Sequence, residues 1–403
     1  MRVLMLSYGH LRPTSGASQI GGAARQCLKL SKALISQNVD VTILTNRLSW
    51  SHPAHGTVEG VPVVFLNTWR PLFDRRGLTR VGTYVYMLCT LLYLFRHRNE
   101  YDIIHAHSAL VSGFVGVLAG RWLKRTSIIK VMNSGFRNDI VRFRQDRTTP
   151  GARWMADYLI HCDRVITLNT MAYDQLISLG FLHTQIELIP NGVEVAEIEA
   201  KKSYDGADVM RVIFVGRLDE AKGLDVLLDA FKILITRQAA RACQLTIVGK
   251  GPLECQLHER ARALGIAEWV RFAGEVMDVP AYLSGCDIFV LPSRAEGVSN
   301  ALLEAMASGL ACIATDIPGN DVLIQHERNG LLVEEDAEVA LAGAIHRLAS
   351  DADLRERLGR AARQTVEHQF DIADIAREYA SLYKRLLETS KCVGIVLHPK
   401  SSQ

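Results

Sequence analysis

Two glutamates eight residues apart, Glu296 and Glu304 in "EGVSNALLE", follow "DIFVLPSRA", whose apolar centre reads as a buried strand. Ser299 or Asn300 is a natural N-cap, and "ALLEAMAS" supplies strong helix formers after it. Glu296 therefore belongs to a loop before a helix and Glu304 to the helix, so the two acids need not share a role. Glu304 complementing the helix dipole and Glu296 as a plain loop acid explain the pair equally well. Arg217 and Lys222 flank the turn in "VGRLDEAKGLDVLLDAF", each within reach of a polyanion near a helix N-terminus. In "GGAARQCLKLSKAL", Gly21 and Gly22 open an amphipathic helix and let a phosphate approach backbone N–H groups, although an ordinary glycine turn fits that segment as well. His105 and His107 in "HAH" share one face of a strand end; packed or capping histidines are the usual explanation, and no third ligand stands at metal-binding spacing. The D-x-D Asp351-Ala352-Asp353 precedes "LRERLGRAARQTVEH" and reads as a helix cap with first-turn acids, not as a metal-holding motif.

The elements that position these residues alternate. Strand-like runs "RVLMLS", "VDVTILT", "DIIHAH", "TSIIKVM" and "RVITLN" are separated by helix-length amphipathic segments, and "RVIFVG", "CQLTIVG", "WVRFAG", "DIFVLP" and "ACIAT" repeat the pattern further on. Such alternation predicts an α/β fold with parallel sheets covered on both faces. Between the two series, "IPNGVEVAEIEAKKSYDGADVM" brings an Asn-Gly turn and a polar stretch, which puts a domain boundary near residues 190 to 205. In open sheets of this kind ligands bind beyond the carboxyl ends of strands, where the loops named above lie.

Length and composition bound the function. At 403 residues the chain fits two ordinary domains, and its 48% hydrophobic and 22% charged composition is that of a soluble globular protein. Eight cysteines without CxxC spacing or clustering read as reduced, buried thiols of a cytosolic protein. The net charge of +3 hides an asymmetry: residues 1–200 hold 22 Lys/Arg against 14 Asp/Glu, residues 201–403 hold 24 against 29. Arg70, Arg75, Arg76 and Arg80 precede the apolar stretch Val81 to Phe95, Arg96 and Arg98 follow it, and Arg137, Arg142, Arg144 and Arg147 form a further group. A solvated basic face accounts for these; attraction to anionic lipid or to a phosphorylated acceptor is the sharper expectation, and no nucleic-acid partner is expected. As a helix, Val81 to Phe95 would be roughly 22 Å long against the ~30 Å of a bilayer core, so it is not expected to span.

Taken together, "GGAARQCLKLSKAL", "DIIHAH", "IPNGV", "FVGRLDEAKGLDVLLDAF", "LTIVGKGPLECQL", the stretch from "FAGEVMDVP" through "EGVSNALLEAMASGLACIATDIPGN", and "NGLLV" resemble, in order, the retaining glycosyltransferases of family 4. The resemblance is most specific at the E-x7-E signature, Glu296 and Glu304. It implies the GT-B architecture: two Rossmann-like doubly wound domains facing a central cleft, an acceptor-side domain at 1–190 with a returning C-terminal helix at 371–389, and a nucleotide-sugar domain at 191–370; the segment beyond that helix fits no motif, so a poorly ordered tail is expected at 390–403. The resemblance further implies transfer of a hexosyl-type sugar from a nucleotide-diphosphate donor to a hydroxyl acceptor with retention. By similarity, Glu296 holds hydroxyls of the transferred sugar and Glu304 those of the ribose, Arg217 and Lys222 meet the diphosphate, Gly21 and Gly22 admit phosphate, and His107 stands near the donor sugar. Gly297, Ser299 and Asn300 complete the donor set. No metal or other cofactor is expected.

Ala311 stands where the family commonly has proline, "IPGND" replaces a Gly-Gly-containing loop, and no arginine after Gly274 is placed to stack on a base, so the nucleotide stays open. A nicotinamide-dependent reading of "IVGKGPLE" fails because Glu254 occupies the third glycine's place. A catalytically silent nucleotide-sugar-binding protein is the alternative. The basic first half points to a lipid-linked or polysaccharide precursor as acceptor, with the protein cytoplasmic and peripheral at the inner membrane face.

Overall fold

The computed structural model describes residues 1–7, 21–47, 53–69, 79–204, 209–236, 243–276 and 278–396. The chain divides into two compact units, one formed by Met1–Pro190 and the segment from Ile372, the other by Asn191–Asp371. Arg70, Arg75, Arg76 and residues 397–403 lie outside the described residues.

In the first unit, strands β1 (Arg2–Leu6), β2 (Asp40–Asn46), β3 (His55–Val58), β4 (Val61–Leu66), β5 (Ile103–Ala106), β6 (Thr126–Lys130), β7 (Arg164–Thr167) and β8 (Ile186–Leu188) form one sheet in the order β3-β4-β2-β1-β5-β6-β7-β8. Every pairing is parallel except that of β3 with β4. That hairpin turns through Glu59 and Gly60, both at positive φ (49° and 83°), as a two-residue turn of this twist requires. Side-chain alternation along the strands fills two cores. Val3, Met5 and Ile103 face helices Gly22–Ser36 and Ile372–Val396, while Leu4, Leu6 and Ile104 face helices Thr79–Arg96 and Val111–Leu123. The sheet is thus covered on both faces.

The second unit repeats the plan with β9 (Met210–Val215), β10 (Cys243–Val248), β11 (Val270–Gly274), β12 (Ile288–Leu291), β13 (Ala311–Thr315) and β14 (Leu331–Val333), ordered β11-β10-β9-β12-β13-β14 and all parallel. Its central strands β12 and β13 are buried at every residue, which is why their sequences are continuous apolar runs.

Four strands escape the sequence pattern. β8 and β14 are three residues long, too short to show a period, and β3 is a polar edge strand containing a glycine. β4 carries Pro62, which argues against a strand until its hairpin partner is known. The last helix runs from Ile372 to Val396, past the end expected at 389: the segment contains no proline, and extending an existing helix is cheap. Cys255 is exposed and Cys89 half-buried, correcting the expectation of buried thiols; the other described cysteines are buried, and all seven are free. Val81 to Phe95 lies within the helix Thr79–Arg96, and among the described residues no helix is long and apolar enough to cross a membrane.

Candidate functional site

In the second unit the strand order reverses between β9 and β12, because the chain leaves β9 toward β10 and β11 and later returns to its other side. The chain therefore leaves these two strands toward opposite edges of the sheet, and such a switch point is where open α/β sheets hold ligands. Arg217 and Lys222 occupy the loop after β9, and Glu296 the loop after β12.

The loops are tied by an ion pair. Lys222 Nζ lies 2.5 Å from Glu296 Oε1, with both side chains largely buried, and Ser293 Oγ donates to the same oxygen at 2.7 Å. Thr315 Oγ1 in turn bonds the Ser293 carbonyl, and Asn320 Nδ2 donates to the Thr315 carbonyl at 3.0 Å. Glu296 is therefore oriented from two sides before any ligand arrives. Arg217 differs: its side chain is 72% exposed, and Asp219 Oδ2 stands 3.7 Å from its Nε.

Backbone proximity explains the glycines here. A Cβ on Gly223, which has φ +61°, would lie 2.0 Å from the Pro292 carbonyl oxygen, so the lysine turn presses directly on the chain leaving β12. A Cβ on Gly319, at φ +106°, would lie 2.2 Å from the Gly297 carbonyl oxygen, closing the Glu296 loop from the β13 side. Arg294 adds a brace. Its backbone N–H donates to Ala221 O, and its guanidinium to Glu220 O, to both oxygens of Asp225 and to Asp336 Oδ1. These carboxylates raise the arginine's pKa beyond its already high value, and the side chain clamps the turn that carries Lys222.

After Glu296, buried Ser299 caps the helix Asn300–Ala307 by accepting from Leu302 N–H. Asn191 Nδ2 donates to the Val298 carbonyl and to Asn300 Oδ1, so the "PNG" turn at the start of this unit steadies the cap. Glu304 sits buried in the helix. The structure thus brings Lys222, Glu296, Gly297, Ser299 and Asn300 onto touching loops, with Glu304 on the helix that follows. Ser293, Arg294, Gly223 and Gly319 carry no sequence signal beyond "PS" after a strand and isolated glycines, and Asn191 shows in the sequence only as the Asn-Gly turn at the domain boundary.

In the first unit the order reverses between β1 and β5, and His107 follows β5 directly. His107 is buried, and neither ring nitrogen has a partner among the described residues. His105 Nδ1 lies 2.7 Å from Tyr383 Oη, and the two imidazoles lie 4.5 Å apart. Burial lowers the pKa of His105 to about 3, with the Lys130 charge as a lesser cause. For His107 burial again comes first, then His105 and Lys130, and the pKa falls well below its ordinary value. Both rings are neutral near pH 7, so His107 can donate from one nitrogen and accept at the other. Gly21 is the N-cap of the helix Gly22–Ser36 at φ −60°, and a Cβ there would meet nothing described. Among the described residues, no packing demands a glycine at that position.

Asp351 caps the helix Ala352–Gln369 by accepting from Leu354 N–H at 2.9 Å, with Asp353 in the first turn, as the cap reading of the D-x-D requires. Among the described residues no group of three or more His, Cys, Asp or Glu is placed to hold a metal ion.

Comparison with known proteins fits this geometry. The family model described as "Glycosyltransferase Family 4" matches residues 20–197, and that described as "Glycosyl transferases group 1" matches 210–351. A D-inositol 3-phosphate glycosyltransferase of Salinispora tropica is 31% identical over 87% of this chain and 78% of its own length. The chain belongs to the group 1 glycosyltransferases. A second relative of this glycosyltransferase, the UDP-Gal:alpha-D-GlcNAc-diphosphoundecaprenol alpha-1,3-galactosyltransferase of Escherichia coli, is 27% identical over 72% of this chain and 77% of its own length. Among solved structures, a sucrose-phosphate synthase from Thermosynechococcus elongatus superposes with a TM-score of 0.81 over 96% of this chain and 99% of its own, at 22% identity. The fold of this glycosyltransferase is GT-B.

Proposed function

We propose that this glycosyltransferase moves a hexosyl unit from a nucleoside-diphosphate sugar to a hydroxyl acceptor with retention of anomeric configuration and without a metal. The observation that carries the reading is the Lys222–Glu296 pair, fixed at the switch point of the second sheet. As the acceptor oxygen bonds to the anomeric carbon, the bond from that carbon to the diphosphate oxygen breaks and its electron pair leaves with the phosphate. The acceptor proton passes to a phosphate oxygen on the same face, so configuration is kept. Charge builds on the diphosphate, and preorganised cations stabilise charge that develops in the transition state. Lys222 and Arg217 have that task. Glu296 accepts from hydroxyls of the sugar and positions it, Glu304 accepts from the ribose, and Gly297, Ser299 and Asn300 line the donor loop.

In the first unit, Gly21 and Gly22 open the helix Gly22–Ser36, whose N-terminus favours a phosphate, and neutral His107 serves a sugar hydroxyl. A glutamate nucleophile would need a second carboxylate as acid–base across the scissile bond. Glu296, already bonded to Lys222 and Ser293, is arranged to hold a ligand.

The acceptor is a lipid-linked or polysaccharide precursor, and the protein works as a peripheral protein at the cytoplasmic membrane face. Support comes from the excess of Lys/Arg in residues 1–200 and from the diphosphoundecaprenol-linked acceptor in the name of the Escherichia coli relative.

The test is nucleotide release from a panel of UDP-, GDP- and ADP-sugars, in EDTA and then in Mg²⁺, with proton NMR of the sugar first released. Slow release from one donor, retained configuration and loss in Lys222→Ala support the reading. Inverted configuration refutes retention, activity restored only by Mg²⁺ refutes metal independence, and tight donor binding without turnover on any acceptor favours a binding-only protein.

A further inference from the structure

The helix Thr79–Arg96 carries apolar residues on every side, yet among the described residues only one side of it packs against protein. Tyr86, Thr90 and Leu94 are buried on the sheet side, whereas Val81, Tyr84, Leu88, Leu92 and Phe95, spaced three or four residues apart, are exposed. Leu88 and Leu92 are 58% and 61% exposed. A helix that is hydrophobic all round needs an apolar neighbour on each side.

The stripe is framed by cations at both ends. At its C-terminal end Phe95 lies 5.9 Å from the exposed ring of Trp122, and Arg96, Arg98, Arg121 and Lys124 are exposed around them. At the other end Tyr84 Oη bonds the Pro150 carbonyl, which sets the helix against a surface pocket of about 880 Å³ whose lining includes Arg144, Arg147 and Arg153. The helix itself contains no acid. Of the acids nearby, Asp157 pairs with Arg144, Asp146 accepts from Thr148, and Glu100 lies beside His97.

We propose that this face docks the first unit onto an anionic phospholipid bilayer. Leu88, Leu92 and Trp122 enter the boundary between headgroups and acyl chains, while the flanking arginines meet lipid phosphates. A second copy of the chain is the poorer occupant, because a two-fold contact through this stripe would bring like-charged arginine clusters together. The inference deepens the lipid-linked acceptor reading above and rests on it for its purpose, since docking would hold the first unit beside a membrane-borne acceptor.

The experiment is co-sedimentation of the full chain with vesicles of roughly one-third phosphatidylglycerol in phosphatidylcholine, and with phosphatidylcholine alone, at low and high salt. The wild type binds the anionic vesicles at low salt. Leu88→Glu with Leu92→Glu lowers the partition coefficient about tenfold or more, and Arg144→Glu with Arg147→Glu lowers the anionic-lipid component by a similar factor. Unchanged thermal midpoints show that the variants are folded; should the glutamates unfold the chain, Leu88→Ser with Leu92→Ser gives the same comparison.

Absence of vesicle binding by the wild type, equal binding to neutral vesicles, or binding indifferent to Leu88 and Leu92 overturns the proposal. So does a dimer in sedimentation velocity that the leucine variants abolish, which would make the face a self-interface. Nucleotide release from a donor sugar without vesicle binding defeats the docking face alone. Vesicle binding without turnover of any donor defeats the transferase reading alone.

Discussion

Lys222 Nζ and Glu296 Oε1 are 2.5 Å apart although 74 residues separate them in sequence, and Ser293 Oγ donates to the same carboxylate oxygen. The cation proposed for the diphosphate is thus held by the acid proposed for the sugar, and each restrains the other's position. Glu296→Gln keeps a carbonyl oxygen for both donors while removing the charge. It should lower turnover by about a hundredfold, the scale of a lost transition-state contact, and leave nucleotide affinity within a few-fold. Lys222→Ala should weaken both. Steady-state nucleotide release together with calorimetric nucleotide binding separates the two outcomes, and equal loss of binding and turnover in Glu296→Gln would remove Glu296 from the positioning role.

Two glycines separate protein packing from ligand approach. Gly223 is required by the fold, since its φ is +61° and its Cβ would strike the Pro292 carbonyl. Gly223→Ala should cost about 1–3 kcal/mol of stability through backbone strain and displace Lys222, lowering both melting temperature and turnover. Gly21 has an ordinary φ, a Cβ there would meet none of the described residues, and serine is a better N-cap. Gly21→Ser should leave the melting temperature unchanged or slightly raised, yet weaken donor affinity if a phosphate meets the backbone there. An affinity equal to the wild type would mean that the glycine admits no ligand.

Much of this was legible from the sequence. The central strands announce themselves as apolar runs because both faces of each sheet are covered, and Glu296, Lys222 and Ser299 sit in loops and caps whose local grammar is plain. The β3–β4 hairpin was not legible, because its turn is Glu59-Gly60 and not the usual Asn-Gly and its first strand is polar. Nor was the second ring of the site. Ser293 and Asn191 look like any loop serine or turn asparagine until the chain brings Glu296 and Asn300 to them, and Gly319 shows its purpose only beside the Gly297 carbonyl. Local propensity is written in sequence neighbours; backbone-to-backbone approach between distant loops is not.

Arg294 holds the Lys222 turn through a planar fork that a lysine cannot reproduce. Arg294→Lys should raise the donor KM more than it lowers kcat, because the turn loosens while the reacting groups stay intact. The bonds lost run partly to charged groups that are half exposed, so the stability cost should be modest, about 1–2 kcal/mol. A thermal melt and a donor titration of nucleotide release check both, and an unchanged KM would reduce Arg294 to a surface brace.

Asp351 spends its carboxylate on the N-terminus of the helix Ala352–Gln369. Asp351→Ala should therefore cost roughly 1 kcal/mol of stability and leave turnover in EDTA equal to that of the wild type. Turnover that falls with the substitution, or a wild type that EDTA silences and Mn²⁺ restores, would instead give this D-x-D a catalytic metal.

His105 is sealed between β5 and the C-terminal helix, its Nδ1 on Tyr383 Oη and its ring stacked on Tyr379. Burial lowers its pKa from 6.5 to about 3. An unfolded chain takes up the proton near pH 6.5, whereas the folded chain stays neutral until about pH 3, so the unfolded state binds more protons between those values. Stability from this group is complete above pH 6.5 and is lost as the pH falls through the window, by about 1.4 kcal/mol per pH unit where the difference is a full proton. Carboxylates titrate in the same range, and buried Asp139, whose pKa burial raises, works in the opposite direction. The useful quantity is therefore the difference between the wild type and His105→Asn, which offers Tyr383 a polar partner without titrating. Melting temperatures from pH 7 to pH 4 should fall more steeply for the wild type. Parallel curves would mean that the folded protein protonates His105 as readily as the unfolded chain does.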